Sequence, residues 1–424
     1  MKSIAISCKT NPAAVKIILF ANTEWYLFNF RLSLAKALQA CGHDVLLISP
    51  PGEYGARLQA LGFRWEALPM DRKSLNPLQE LRLLAYLCRL YRREQPALAH
   101  HFTIKCVVYG SIAVLLARVP ARVNAVAGMG YVFTNRALKA RFLRPVVRWL
   151  MRLVINGRGA RLILQNNDDM AAFAKAGLAR PELTRLIKGS GVDLTRFMPR
   201  VPIVKDGQDD QGNHTAQPTR VVLAARLLWD KGIAEYVEAA RQLKAKGLPI
   251  HFLLAGSPDP GNPAAIPQTT LDGWQAEGLI ELLGQLSDMA ALLATVDMAV
   301  LPSYREGLPK SLIEAAACAL PLVTTDVPGC REVVTHEVEG LLVPVKDAAA
   351  LAQAIERLHL NPAWADQLGQ AARARALRQF DENIVIRQTL AVYTELLGYL
   401  GGPSAEYPNG QSKIVPKPIP VKRQ

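Results

Sequence analysis

From Lys16 onward, short apolar runs alternate with stretches whose apolar residues recur at helical spacing. Lys16-Ile-Ile-Leu-Phe20 predicts a strand, residues 28–40 a helix stopped by Gly42, and Asp44-Val-Leu-Leu-Ile48 a second strand. A short strand follows over 63–68. The helix predicted over 77–93 carries Leu81, Leu84, Leu87 and Leu90 on one face, with arginines elsewhere and Pro96 beyond its end. Further strands are predicted just before His100, over 123–127 and over 161–164. From Arg220 the alternation resumes, with strands over 220–225, 250–255, 279–283, 298–301, 322–325 and 341–343. Helices lie between and after them, including 233–245, 348–358 behind the N-cap residue Asp347, and 389–400. Repeated alternation of this kind implies parallel sheets covered on both faces, and such sheets hold ligands beyond the carboxyl ends of their strands.

The places where the pattern stops give the domain organisation. Residues 1–15 read as an extension, 16–199 as one α/β domain and 220–379 as a second. Between the two domains, 200–219 is a linker or insertion of Gly, Asp, Gln, Asn and Pro. Residues 380–400 read as a C-terminal helix able to pack back on the first domain, and 401–424 as a disordered basic tail.

Composition narrows the class. Half of the 424 residues are apolar, enough for a large core. The extension lacks the apolar centre of a signal peptide, and no apolar run approaches the roughly 18 residues of a membrane span. Six scattered cysteines without a C-x-x-C pair argue against a zinc site or a disulfide framework and fit a reducing compartment. The formal charge of +14 is lopsided: residues 1–200 hold 30 Lys and Arg against 11 Asp and Glu, and the remainder is mildly acidic. One lobe therefore suits an anionic partner.

The candidate chemistry centres on Ser303-Tyr-Arg-Glu306-Gly-Leu-Pro309-Lys-Ser-Leu-Ile-Glu314. Glu306 falls in a strand-to-helix loop and Glu314 in the second turn of the helix. Between them lie the free N–H groups of a helix N-terminus, which attract phosphate. Carboxylates accept from hydroxyls, so a diphosphate flanked by two polyols, a nucleotide sugar, suits the stretch. The plainer reading of such a pair is two solvated residues around an ordinary loop. Arg226 and Lys231, after the first strand of the same domain, add charge-assisted donors for phosphate oxygens. In the first domain His100, His101 and Lys105 are placed just past a strand end, and Gly128-Met129-Gly130 after another. Residues 136–155 carry six positive charges and no acid, with Arg144, Arg148 and Arg152 on one helical face near Trp149 and Phe142. Such a helix can lie in a membrane interface or turn a solvated Arg face away from a core, and the two are compatible.

These motifs together resemble the retaining glycosyltransferases of family 4, of the two-domain GT-B fold. The resemblance spans 16–400 and rests on Gly189-Ser-Gly-Val-Asp193, Arg226 with Lys231, Leu283-Gly284, the Glu306/Glu314 pair and Pro328-Gly-Cys-Arg-Glu332. Residues 100–105, 128–133 and 226–232 resemble the bacterial branch that extends lipid-linked oligosaccharides and capsular or exopolysaccharides. The implied fold is two Rossmann-like parallel-sheet domains facing across a cleft, the first taking the acceptor and the second the nucleotide sugar.

The resemblance implies that Arg226 and Lys231 hold the donor diphosphate, Glu306 the sugar hydroxyls and Glu314 the ribose. Gly307 and Leu308 would offer backbone N–H groups, and 280–283, with Leu283, would border the base. It implies no cofactor and no metal, in keeping with the absence of D-x-D. The partners it implies are a nucleotide sugar, UDP-linked, a polyprenyl-diphosphate-linked saccharide and an anionic membrane surface, not nucleic acid. The location it implies is cytoplasmic, peripheral on the inner face of the membrane. In a retaining reaction of this class, the departing phosphate takes the acceptor proton. Two positions depart from the family: the first strand leads into Asn22-Thr-Glu-Trp25 in place of Gly-Gly, and Ala125 to Gly128 replaces a histidine. His100, His101 and Lys105 stand as acceptor-side candidates. A sugar-nucleotide epimerase or phosphorylase on the same fold, and a non-catalytic membrane adaptor, are the competing functions.

Overall fold

Thr23 begins the first helical segment, because its Oγ1 accepts from Tyr26 N at 3.1 Å and so satisfies one free N–H. That helix therefore starts earlier than the periodicity suggests, at Glu24, and passes through a π turn, Leu27–Arg31, before its regular part, Leu32–Ala40 (α1). The computed structural model describes residues 14–71, 74, 76–126, 149–199, 218–259 and 262–400.

In the first lobe the elements are Lys16–Phe20 (β1), α1, Asp44–Ser49 (β2), Glu53–Ala60 (α2), Arg64–Ala67 (β3), Pro77–Glu94 (α3), Leu98–Phe102 (β4), Ile104–Ala117 (α4), Ala121–Val126 (β5), Ala160–Leu164 (β6), Asn167–Lys175 (α5) and Thr184–Leu186 (β7). They form a parallel sheet of order β3-β2-β1-β4-β5-β6-β7. In the second, Thr219–Ala224 (β8), Ile233–Ala245 (α6), Ile250–Ala255 (β9), Gln268–Ala276 (α7), Glu281–Gly284 (β10), Met289–Leu293 (α8), Met298–Leu301 (β11), Lys310–Ala317 (α9), Leu322–Thr325 (β12), Pro328–Arg331 (α10), Gly340–Val343 (β13) and Ala348–Leu360 (α11) give the order β10-β9-β8-β11-β12-β13. Each sheet reverses its winding once, between β1 and β4 and between β8 and β11. The carboxyl ends at those switch points are where such sheets bind ligands.

The central strands are apolar on both sides, as full coverage requires: Ile17, Ile18, Leu19 and Phe20 are completely buried. Two long helices close the chain, Pro362–Gln379 (α12) and Glu382–Leu400 (α13). Periodicity had not marked α12, because its buried face consists largely of small residues, Gly369, Ala372 and Ala376. α13 crosses to the first lobe, where Val385, Ile386, Tyr393 and Leu396 enter the core under β1 and β4. The apolar face predicted for α3 is rotated: Leu83, Leu87, Leu90 and Tyr91 are buried, while Leu81 is 61 % exposed. Cys88, Cys106, Cys318 and Cys330 are free, but Cys41 is disulfide-bonded, which the cysteine spacing did not lead one to expect. Among the described residues no helix is long and apolar enough to cross a membrane.

Candidate functional site

Two glycines let the loops of the second switch point meet. Gly232 has φ +71°, and a Cβ there would lie 2.0 Å from Pro302 O, so only glycine allows the turn after β8 to rest on the end of β11. Ser303 Oγ and Tyr304 N both donate to Asp230 O, at 3.1 and 2.9 Å, and tie the loops together. Gly329, in α10, backs the loop from below: a Cβ would come within 2.6 Å of both Glu306 O and Gly307 O.

The result is that Lys231 Nζ donates to Glu306 Oε1 at 2.5 Å, with 15 % and 13 % of the two side chains exposed. α9 begins at Pro309 without a side-chain cap, so its first N–H groups stay available to a ligand beside Gly307 and Leu308. One turn further in, Glu314 lies 3.6 Å from Lys310 Nζ and is 15 % exposed. Burial pushes its carboxyl pKa up, with Lys310 and Arg196 offsetting part of the shift. Arg226 is half exposed and donates to Asp259 Oδ2 at 2.8 Å. Leu283 is half-buried in β10, beside Gly284, whose φ is +64°. The structure thus joins Lys231 to Glu306 directly and sets Gly307, Leu308 and Glu314 along the same loop and helix. Arg226 follows β8 and Leu283 lies in β10, with β9 between the two strands.

The first lobe faces this loop. Asn166 Nδ2 donates to Gly307 O at 2.8 Å, Lys188 pairs with Glu332 at 2.8 Å, and Lys310 Nζ donates to Asn29 O and sits over the Phe30 ring. Sequence reasoning missed Lys310 and Asn166; what reveals them is contact across the cleft.

The acceptor-side candidates are corrected. His100 and His101 do not follow β4 but lie within it, 1 % and 0 % exposed. Leu98-Ala-His-His-Phe102 is a fully buried strand, so its histidines serve as internal hydrogen-bonding groups. His101 contacts Tyr91 OH at 3.2 Å and Asn124 Oδ1 at 2.9 Å; His100 Nδ1 contacts Tyr393 OH at 2.6 Å. Burial lowers the pKa of both, that of His101 to about 4. Lys105 is tied down by Glu80 at 2.7 Å. Gly128 to Gly130 and most of the Arg-rich stretch lie outside the described residues. Of that stretch, Trp149 and Leu153 are 62 % and 52 % exposed. A hollow of about 640 Å³ lies at the amino ends of β1 and β4, lined by Lys16, Arg92 and Arg118 among others, and contains none of the candidate residues.

A carboxylate paired with an ammonium beside an uncapped helix end, with a second, shielded carboxylate one turn on, can hold a diphosphate and orient hydroxyls on both sides of it. Comparison with known proteins points the same way. Residues 218–361 match the family described as glycosyl transferases group 1, and residues 16–167 the family described as glycosyl transferase 4-like. The chain is 31 % identical over 379 residues to the N,N'-diacetylbacillosaminyl-diphospho-undecaprenol alpha-1,3-N-acetylgalactosaminyltransferase of Campylobacter jejuni, covering 88 % of this chain and 96 % of that one. It is 25 % identical to the UDP-Gal:alpha-D-GlcNAc-diphosphoundecaprenol alpha-1,3-galactosyltransferase of Escherichia coli, over 69 % and 73 % of the two chains. Among solved structures, HepE of Anabaena in complex with UDP-glucose superposes with a TM-score of 0.69 at 21 % identity, covering 90 % of this chain and all of the other. The fold is GT-B.

Proposed function

The chain belongs to the group 1 and 4-like glycosyltransferases, and on that premise we propose that it moves a hexose or N-acetylhexosamine from a UDP-sugar to a saccharide carried on a polyprenyl diphosphate, with retention at the anomeric carbon. The observation that carries this reading is the Lys231–Glu306 contact beside the uncapped start of α9, at the switch point of the second sheet. The names of the Campylobacter and Escherichia relatives support the acceptor class.

In this reading Lys231 and Arg226 bind the donor diphosphate, together with the N–H groups of Gly307 and Leu308. Glu306 accepts from sugar hydroxyls, Glu314 from the ribose, and Leu283 borders the base. The acceptor oxygen forms a bond to the anomeric carbon as the bond from that carbon to the phosphate oxygen breaks. The acceptor proton passes to the departing phosphate, and Lys231 and Arg226 neutralise the charge that develops there. No metal has a task in this scheme, so transfer should survive EDTA; loss restored by Mg²⁺ or Mn²⁺ would refute that part.

A lipid tail leaves a bilayer at a cost of about 0.8 kcal/mol per exposed CH₂, so the enzyme works at the membrane surface as a peripheral protein on its inner face. The basic first lobe and the exposed Trp149 and Leu153 support such docking. Reversal of Arg144, Arg148 and Arg152 to Glu should abolish sedimentation with anionic liposomes, since each is worth about 1 kcal/mol there, while nucleotide-sugar binding persists. Equal sedimentation of both proteins would reject the docking. The test of the function itself is a screen of UDP- and GDP-linked hexoses and N-acetylhexosamines against polyprenyl-diphosphate saccharides, with linkage analysis of the product. Conversion of the donor sugar without any acceptor would point to an epimerase instead.

A further inference from the structure

The first sheet has a switch point of its own, between β1 and β4, and the two segments leaving it hold a set of polar groups that the protein does not satisfy. Arg31 ends the π turn after β1 and is 6 % exposed. Its guanidinium lies 4.3 Å over the Phe102 ring and 5.5 Å from that of Tyr26, and Nη2 donates to Tyr26 OH at 2.9 Å. Nε has no partner, and among the described residues no carboxylate pairs with the group. A buried cation without a counter-charge is costly, and π faces compensate only part of the loss. Arg122 shows how this fold treats a purely structural buried arginine: Nε and Nη2 donate to the carbonyls of Val154 and Asn156, at 2.9 and 3.0 Å. Arg31 has no such carbonyls.

The residue after Phe102 is also unsettled. Thr103 has φ +73° and ψ 153°, a region left almost entirely to glycine. It stands at the N-cap of α4, yet its hydroxyl caps nothing; Oγ1 is buried without a hydrogen-bond partner, with the Cys106 thiol, a weak one, beside it. His100 Nε2, in a ring 4.0 Å from Phe102, is likewise unpartnered. A cation without an anion, a hydroxyl with only a thiol beside it and an uncapped helix start thus converge on Phe102 at the carboxyl edge of the acceptor lobe.

We propose that this switch point is the subsite for the acceptor's own diphosphate, with Arg31 as its charged anchor and the Thr103 hydroxyl and the first N–H groups of α4 as its neutral donors. The proposal deepens the functional reading above and rests on it. A phosphate ester is the chemistry that meets all three wants at once: it supplies the missing charge, and its oxygens accept from a guanidinium, a hydroxyl and backbone N–H groups. The diphosphate of the donor is already provided for in the other lobe, so the anion received here belongs to the lipid carrier.

The test compares two acceptors for the full chain: the saccharide on a polyprenyl diphosphate, and the same saccharide as a neutral alkyl glycoside. Arg31→Gln should raise KM for the diphosphate acceptor by about ten- to hundredfold. Its KM for the nucleotide sugar and its rate with the alkyl glycoside should stay near wild type. Arg31→Lys should recover part of the loss, since it keeps the charge but not the planar fork. An unchanged KM for the diphosphate acceptor, or equal losses on both acceptors, would overturn the subsite and leave Arg31 a packing residue. If Arg31→Gln fails to fold, the wild type decides. With donor held saturating, inorganic diphosphate should inhibit competitively against the lipid acceptor, and absent or non-competitive inhibition overturns the proposal. Lack of transfer by the wild type to any acceptor would instead remove the functional reading beneath it.

Discussion

The two sheets turn at equivalent places, yet Arg31 at the first is held differently from three cations at the second. At the second switch point Lys231 has Glu306, Arg226 has Asp259 and Lys310 has Glu314. At the first, Arg31 is more deeply buried than any of these cations and no carboxylate pairs with it among the described residues. A neutralised site must exchange partners when a ligand arrives, so binding there trades one ion pair for another and gains specificity more than affinity. An uncompensated site gains directly from an anion. Under the proposed assignment, the donor side is thus built for discrimination and the acceptor side for capture.

Glu306 is where substitution should cost most. Glu306→Gln leaves Lys231 without its carboxylate and removes an acceptor for sugar hydroxyls, and kcat/KM should fall by about a hundredfold or more in a folded protein. Wild-type turnover in a variant with unaltered circular dichroism would show that the donor site has been misplaced. Next comes Arg226→Ala, which removes one partner of Asp259 and a phosphate donor; a loss of about ten- to hundredfold is expected, accompanied by a higher KM for the nucleotide sugar. If the KM for acceptor rises instead, the two sides have been assigned the wrong way round.

The smallest effect sharpens the contrast through stability. Glu314 is an acid whose folded pKa is raised by burial, so its ionisation destabilises the native state at pH values above that raised pKa. As pH falls through it toward the ordinary Glu value, about 4.3, the penalty disappears. Glu314→Gln should therefore be no less stable than wild type near pH 7.5 in thermal melts, with the difference closing as pH is lowered, while its nucleotide affinity drops. A variant clearly less stable at pH 7.5 would mean that the Lys310 contact outweighs burial.

Much of the proposed donor site was legible in the chain because it is local. Met298–Leu301, the loop and α9 follow one another within twenty residues, and a strand-to-helix junction fixes where Glu306 and Glu314 fall. Strands such as Ile250–Ala255 were legible for the same reason: full burial on both faces leaves an uninterrupted apolar run. The acceptor side was misread because a histidine in a buried strand and one just beyond it look alike in sequence. One residue of register separates a core hydrogen bond from an exposed ligand.

Sequence alone determined two alternating α/β units and the placing of Glu306 and Glu314 around one strand-to-helix junction, because strand and helix periods and loop chemistry are short-range properties. Tertiary structure decided which charges are paired. Lys231 and Glu306 are 75 residues apart, and His100 and Tyr393 are 293 apart. The isolation of Arg31 is still less local, since it depends on what fails to approach it from every neighbouring element, and no pattern along the chain records the absence of a partner.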